Sequence, residues 1–251
     1  DFEEYYPTDV METGWDILFF WVARMMMFGI YRTGKIPFKT VYLHGLVRDK
    51  TRQKMSKSKG NVIDPLGVID LYGADALRFA LVVGNTPGSD PIIYEEKIRG
   101  YRNFANKIWN ASRFVLGQIE NTKYQILNTK YSIIMEEDKK LLKELGKFTK
   151  EITRLMDSFK FYKAAEMLYH YFWHTFADKI IEEAKPRLGG ENEKEKKAAQ
   201  LLLFTILTTL LKLLHPFMPF VTEAIWQEIT NDKRLTTNGK KLLMVEKWPE
   251  R

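Results

Sequence analysis

Lys54, Ser56, Lys57 and Ser58 stand in one short run, Lys54-Met55-Ser56-Lys57-Ser58, whose side chains suit the binding of an anion. Ammonium groups neutralise phosphate charge, and hydroxyls and backbone N–H groups add hydrogen bonds. Six of the twelve residues from Arg48 to Lys59 are Lys or Arg, and only Asp49 opposes them. Ser56, Ser58 and Gly60 are small, so the backbone can approach a ligand closely. A mobile cationic loop of this kind at the end of a strand fits a polyphosphate. On the pentad alone, a solvated basic loop or a Lys-rich targeting patch fits as well.

The flanking sequence says what must hold this loop. Val41-Tyr42-Leu43 is an apolar run that reads as a buried strand over 40–45, and 8–12 reads as a shorter one. Thr13-Gly14-Trp15-Asp16 has the spacing of a capping box, with Thr13 as N-cap, so a helix is expected over 15–31, stopped by Gly34 and Pro37. Strand, helix, strand in this short span predicts a parallel βαβ unit. Both strands then end at one edge, where the Thr13-Gly14 turn and the 48–60 loop face one crevice, the usual ligand edge of open α/β sheets. Phosphates would lie by the lysines, with ribose and adenine toward Gly14, Asp16 and His44. Asp16 equally suits a first-turn acid favoured by the helix dipole. Ile17 and Trp21, four residues apart, share a face and make a narrow apolar wall for a small branched side chain, or ordinary core. His44 suits a general acid or base, or a structural histidine; no acid–base work is assigned to it.

The chain has 251 residues, 45% of them apolar, enough for one large or two ordinary domains. A formal net charge of +7 is compatible with a polyanionic partner without specifying one. The absence of cysteine excludes disulfides and thiol catalysis and fits a reducing compartment. The most apolar stretch, 201–214, is too short to span a bilayer and reads as a buried helix, so no membrane association is expected. Asp64-Pro65 reads as a helix start, followed by short helices to Gly73 and over 74–83, and 85–90 as a turn-rich linker. Beyond it the apolar spacing is helical throughout: Leu141, Leu145, Phe148, Ile152, Leu155 and Phe159, then Ala165, Leu168, Phe172, Phe176 and Ile180. Residues 242–249 read as a short strand packed back on the bundle. The expected fold is α/β then all-α: a partial Rossmann-like parallel sheet followed by an α-helical bundle. The first residue, Asp1, reads as a sign of a fragment or a processed chain.

Lys54-Met55-Ser56-Lys57-Ser58-Lys59-Gly60-Asn61, after His44-Gly45-Leu46, closely resembles the signature loop of the class I aminoacyl-tRNA synthetases. Residues 12–25 resemble the valyl branch of that family, and 73–79, 99–110, 172–178 and 215–226 also match family segments. The resemblance implies that Thr13, Gly14 and Asp16 meet the adenylate ribose, that His44, Gly45 and Leu46 lie beside adenine, and that Ile17 and Trp21 shape the amino-acid pocket. It implies attack of an amino-acid carboxylate on the α-phosphate of ATP, with Lys57 first and Lys54 second as the groups stabilising the triphosphate. Met55, Ser56 and Ser58 support them. ATP enters as its Mg2+ complex, and no protein-bound metal is expected.

The implied domains are 1–63, the second half of a nucleotide-binding domain; 64–98, a linking segment; and 99–251, an anticodon-binding domain. Arg78, Arg99 and Arg102 are candidates for tRNA contact, although Arg78 also has Asp75 one turn earlier as an ion-pair partner. The implied partners are valine, ATP, tRNA(Val) and the N-terminal half of the catalytic domain, in the cytoplasm. The sequence contains no His-Ile-Gly-His-type tetrapeptide, no editing insertion and no coiled-coil arm, so this chain is not expected to form an adenylate alone. One departure concerns Arg52, where valyl enzymes usually carry glycine. The alternatives at this point are a non-catalytic tRNA-binding module and an isoleucyl enzyme.

Overall fold

The computed structural model describes residues 1–119, 135–230 and 242–249. Contacts divide the chain into two compact units, 1–64 with 84–94, and 65–83 with 95–251.

In the first unit, strand β1 (Thr8–Gly14) pairs in parallel with strand β2 (Phe38–His44), in a register that runs from Thr8↔Phe38 to Gly14↔His44. Parallel pairing is what the intervening helix requires. β1 runs two residues further than the sequence suggests, because Thr13 and Gly14 find ladder partners in Leu43 and His44. That extension removes the expected capping box. Thr13 lies buried in the strand, and the helical stretch begins after an extended Gly14 with no side-chain cap. It opens as a 3-10 turn (Trp15–Ile17), widens into a π-helical turn (Leu18–Val22) and continues as an α-helix (Ala23–Thr33). Gly34 ends it at φ +71°, its N–H donating to the Ile30 carbonyl at 2.8 Å, the left-handed cap that glycine adopts without a Cβ penalty. Val41, Tyr42 and Leu43 are half-buried, not buried as expected, since the sheet has two strands among the described residues.

Residues 84–94 fold with the sheet. Gly88 N–H donates to Leu43 O (2.9 Å), Arg48 N–H to Pro91 O (2.8 Å) and Ile93 N–H to Arg48 O (2.9 Å). The turn-rich stretch that reads as a linker therefore lies along the end of β2. It packs so closely that a Cβ on Gly45 would meet the Ser89 carbonyl oxygen at 1.9 Å.

The second unit is helical. Its helices are Pro65–Tyr72, Ala74–Val82, Glu95–Ile119, Glu136–Asp157, a continuous α–π–α run through Phe161–His170, Tyr171–Ile180 and Ile181–Gly189, then Glu193–Leu214 and Pro219–Thr230. Pro65 opens the first of these, as proline at a helix start can without losing a bond. Asn192 caps Glu193–Leu214 by accepting from Lys194 N–H and Glu195 N–H. That helix is long and apolar enough to cross a membrane, yet its side chains are mostly buried in the bundle. Phe79, Phe104, Ile108, Phe172 and Phe176 are fully buried among them, and Trp109 packs against this core.

Two expectations change here. Residues 242–249 are not a strand: Leu243–Val245 form a 3-10 turn, with Leu243 buried and the Trp248 indole donating to Thr153 Oγ1 at 2.9 Å. Asp75 directs its carboxylate to the backbone N–H groups of Phe220 (3.1 Å) and Val221 (2.6 Å), capping the last long helix, while Arg78 donates to the Pro216 carbonyl (3.1 Å). Two aligned N–H groups at a helix start outcompete one exposed arginine for a buried carboxylate.

Candidate functional site

The parallel register puts Gly14 and His44 side by side at the C-terminal edge of the sheet. A Cβ on Gly14 would lie 2.7 Å from Asp16 Oδ1, so the Asp16 carboxylate would have to turn aside, and at ordinary contact distance, 3.5 Å, from His44 Cε1. Thr13, Gly14, Asp16, His44, Gly45 and Leu46 thus share one edge. His44 Nδ1 is 2.9 Å from the Gly45 carbonyl, which can only accept, so that nitrogen carries a proton; Nε2 is 3.4 Å from the Glu12 carboxylate. The ring is oriented by these partners.

The basic loop leaves this edge through Arg48. Met55 N–H donates to Val47 O (3.3 Å), and Arg48 and Lys54 form an antiparallel bridge, so the loop folds back on its own root. Its two ends are clasped by Asp49 and Asn61. Asp49 accepts from Thr51 N–H (2.9 Å), Thr51 Oγ1 (2.7 Å), Gln53 N–H (2.9 Å) and Asn61 Nδ2 (2.7 Å). Asn61 Oδ1 accepts from Ser56 N–H (3.0 Å). The Asn61 amide, then the Thr51 hydroxyl, pull the Asp49 pKa down to about 2.

Lys57–Lys59 make a 3-10 turn closed by Gly60 at φ +66°, with Ser56 Oγ and Ser58 Oγ 3.2 Å apart. Lys54, Lys57, Lys59 and Ser58 are exposed; Met55 and Ser56 are half-buried. Arg52 sits at φ +65°, the left-handed region that favours glycine. Ile17 and Trp21 lie on the helical stretch after Asp16, both largely exposed. On the same helical stretch Phe19 and Phe28 expose 76% and 70% of their surface.

A residue that the sequence does not single out organises this edge. Asp90 Oδ1 accepts from the Trp15 indole (3.0 Å) and from Leu46 N–H (2.8 Å), and Oδ2 receives Arg48 Nε (2.5 Å) and Nη2 (2.5 Å). These donors, the Trp15 indole foremost, hold its pKa at about 2. Asp90 stands 75 residues from Trp15 in a turn-rich stretch, so no local pattern marks it. Asp49 and Asn61 were legible as polar loop residues, but not as partners.

Arg78, Arg99 and Arg102 belong to the helical unit and are exposed. Arg99 and Arg102 lie on Glu95–Ile119 near Tyr72. The Tyr72 hydroxyl donates to Glu95, which raises its pKa against the fields of both arginines.

Residues 1–93 match the family model "tRNA synthetases class I (I, L, M and V)", and 138–251 match "Anticodon-binding domain of tRNA ligase". The chain belongs to the class I tRNA synthetases. It is 47% identical to a valine–tRNA ligase of Clostridium tetani, over the whole chain and 28% of that relative, and 45% identical to one of Bacillus subtilis, over 99% of the chain and 27% of that relative. The chain thus spans about a quarter of the length of the curated relatives it matches. Among solved synthetase structures it resembles a Mycobacterium tuberculosis methionyl-tRNA synthetase in complex with methionyl-adenylate, with a TM-score of 0.71 at 21% identity over 98% of this chain and 51% of that one. It also resembles an Agrobacterium radiobacter LeuRS in a ternary complex with tRNA and LeuAMS, with a TM-score of 0.68 at 22% identity over 97% of this chain and 28% of that one. The α/β-then-helical order is that of these synthetases.

Proposed function

We propose that this chain is part of a valine–tRNA ligase, which activates valine with ATP and transfers it to tRNA(Val). The observation that carries the reading is identity of 45–48% to valine–tRNA ligases along nearly the whole chain. The geometry of the sheet edge supports it. Residues 1–63 are assigned as the second half of the nucleotide-binding domain, completed by the returning segment 84–94. Residues 64–98 otherwise link it to the anticodon-binding domain at 99–251.

In this reading a valine carboxylate oxygen bonds to the α-phosphorus of ATP, the bond to the β-phosphate oxygen breaks, and pyrophosphate leaves with its electron pair. Mg2+ arrives with ATP. Such a step depends on positioning and charge stabilisation, not on a protein nucleophile. Lys57 and Lys54 neutralise charge on the departing pyrophosphate, supported by Met55, Ser56 and Ser58. Thr13, Gly14 and Asp16 hold the ribose, and His44, Gly45 and Leu46 flank adenine. Ile17 and Trp21 present the apolar wall that meets valine. Arg78, Arg99 and Arg102 offer exposed cations to tRNA phosphates, the first with part of its guanidinium engaged by Pro216.

The exposed aromatic face around Phe19, Trp21 and Phe28 supports a partner half that covers it and brings the missing His-Ile-Gly-His-type motif. The enzyme would act in the cytoplasm. The test is valine-dependent ATP–pyrophosphate exchange with this chain mixed with the N-terminal half of a related valine–tRNA ligase, with isoleucine and threonine in parallel. Exchange in the mixture and not in either part supports the reading. Silence, with the halves bound and tRNA affinity intact, replaces it with a tRNA-binding module, and preference for isoleucine replaces the amino acid.

A further inference from the structure

We propose that Asp90 is a positioning residue, which sets the spacing between the ribose-side turn at Gly14–Asp16 and the root of the lysine loop. The inference rests on the ligase reading and names a residue of that same site. Three donors from two separate stretches of the chain meet on this one carboxylate: the indole of Trp15, and the N–H of Leu46 with the guanidinium of Arg48. Trp15 directly precedes Asp16. Leu46 follows the His44-Gly45 pair. Arg48 is the first residue of the loop, bridges to Lys54 and donates through Nη1 to the Arg52 carbonyl at 3.1 Å. One anchor therefore joins the ribose, adenine and phosphate sides of the proposed nucleotide site.

The anchor itself is held by its surroundings. Its side chain is 17% exposed. The backbone on either side of it is held, by the Ser89 contact on Gly45 and by the Pro91 carbonyl that accepts from Arg48 N–H. The arrangement also separates the cations by role. Arg48 is engaged by Asp90 and Arg52, so it shapes the loop, while the exposed Lys54 and Lys57 face the phosphates. A charge-assisted fork to a carboxylate is stronger and more directional than a neutral bond. Asp90→Asn keeps an acceptor for Trp15 and Leu46 but weakens the hold on Arg48. Trp15→Phe removes one donor and leaves the loop root tied.

Two measurements test this. In the isolated chain, Asp90→Asn is expected to raise deuterium uptake over 48–61 several-fold, with uptake in the helical unit unchanged; Trp15→Phe leaves 48–61 as in the wild type. In the reconstituted exchange assay, Asp90→Asn is expected to lower kcat 10- to 100-fold, with KM for valine changed less than two-fold, as misplacement of reacting groups does. Unchanged loop uptake or unchanged kcat in Asp90→Asn overturns the proposal. Uptake that rises throughout the first unit assigns Asp90 to general stability and overturns it too. A wild-type mixture that gives no exchange sinks the ligase reading instead, and the uptake of the isolated chain still decides whether Asp90 holds the loop.

Discussion

In the helical unit Phe79, Phe104, Phe172 and Phe176 are fully buried, with ring centroids 5.3–6.3 Å apart along the cluster Phe79–Phe104, Phe104–Phe172, Phe172–Phe176 and Phe79–Phe217. In the α/β unit Phe38 is buried, but Phe19 and Phe28 are mostly exposed, as are Trp21, Met27 and Tyr31. Burying a large apolar side chain is worth about 1.5–3 kcal/mol, a gain that the bundle has collected and these exposed residues have not. The lesson is a division of labour. The bundle buries its own aromatic residues, and the unit that carries the lysine loop leaves a set of aromatic residues exposed.

The largest expected effect tests that contrast. Phe104→Ala should cost about 3–5 kcal/mol of unfolding free energy, read by chemical denaturation of the isolated chain. Phe28→Ser should change it by about 0.5 kcal/mol or less. Equal costs would mean that the two faces are not different in kind. In the reconstituted enzyme the functional contrast should be as sharp. Lys57→Ala is expected to lower exchange by about 10²–10³-fold, the scale for losing one preorganised charge-stabilising group, with tRNA affinity unchanged. The double variant Arg99→Ala, Arg102→Ala should do the reverse, weakening tRNA binding and flattening its salt dependence while exchange is retained.

Smaller effects sharpen the account of the loop. Asn61→Ala removes both bonds of the clasp, the one to Asp49 and the one from Ser56, and at the ordinary worth of two hydrogen bonds should speed tryptic cleavage at Lys54–Lys59 roughly 30-fold. The clasp should also respond to acid in one direction. Asp49 and Asp90 titrate near 2 in the folded chain, against about 3.9 for an ordinary aspartate. Their ionised forms accept the bonds, so their contribution is complete above about pH 4 and is lost as pH falls through about 2. Deuterium uptake over 48–61, corrected for intrinsic exchange, should be flat from pH 7 to about 4 and rise below. The smallest effect is expected from Arg52→Gly. Relief of the left-handed strain is nearly offset by the freedom glycine regains on unfolding, so a gain of about 0.5 kcal/mol or less in loop stability should appear as slightly slower cleavage.

Much of this was legible in the sequence. The 3.6-residue spacing of Leu145, Ile152, Leu155, Leu168, Phe172 and Phe176 marks helices whose apolar faces are buried, as they are. The order strand, helix, strand requires a parallel pair, and Gly34 terminates its helix as glycine does. The capping box at Thr13 misled, because a local signal lost to a non-local one. Pairing with Leu43 and His44 drew Thr13 and Gly14 into the strand. The tail at 242–249 misled in the same way: its apolar residues anchor on the bundle through Leu243 and Trp248 with no neighbouring strand to pair with among the described residues.

What the sequence by itself determined are the features written in local spacing and residue type: the cationic loop, the helical periodicities, the glycine stops and the α/β-then-helical order. Those depend on interactions within a few residues, which a linear pattern records. Only the tertiary structure decided that Asp90 gathers Trp15, Leu46 and Arg48, that Asp49 and Asn61 clasp the loop, and that Asp75 caps a helix starting at Pro219. A carboxylate takes whichever donors the fold brings within about 3 Å. Donors 12 to 146 residues away leave no trace in the spacing of the residues around it.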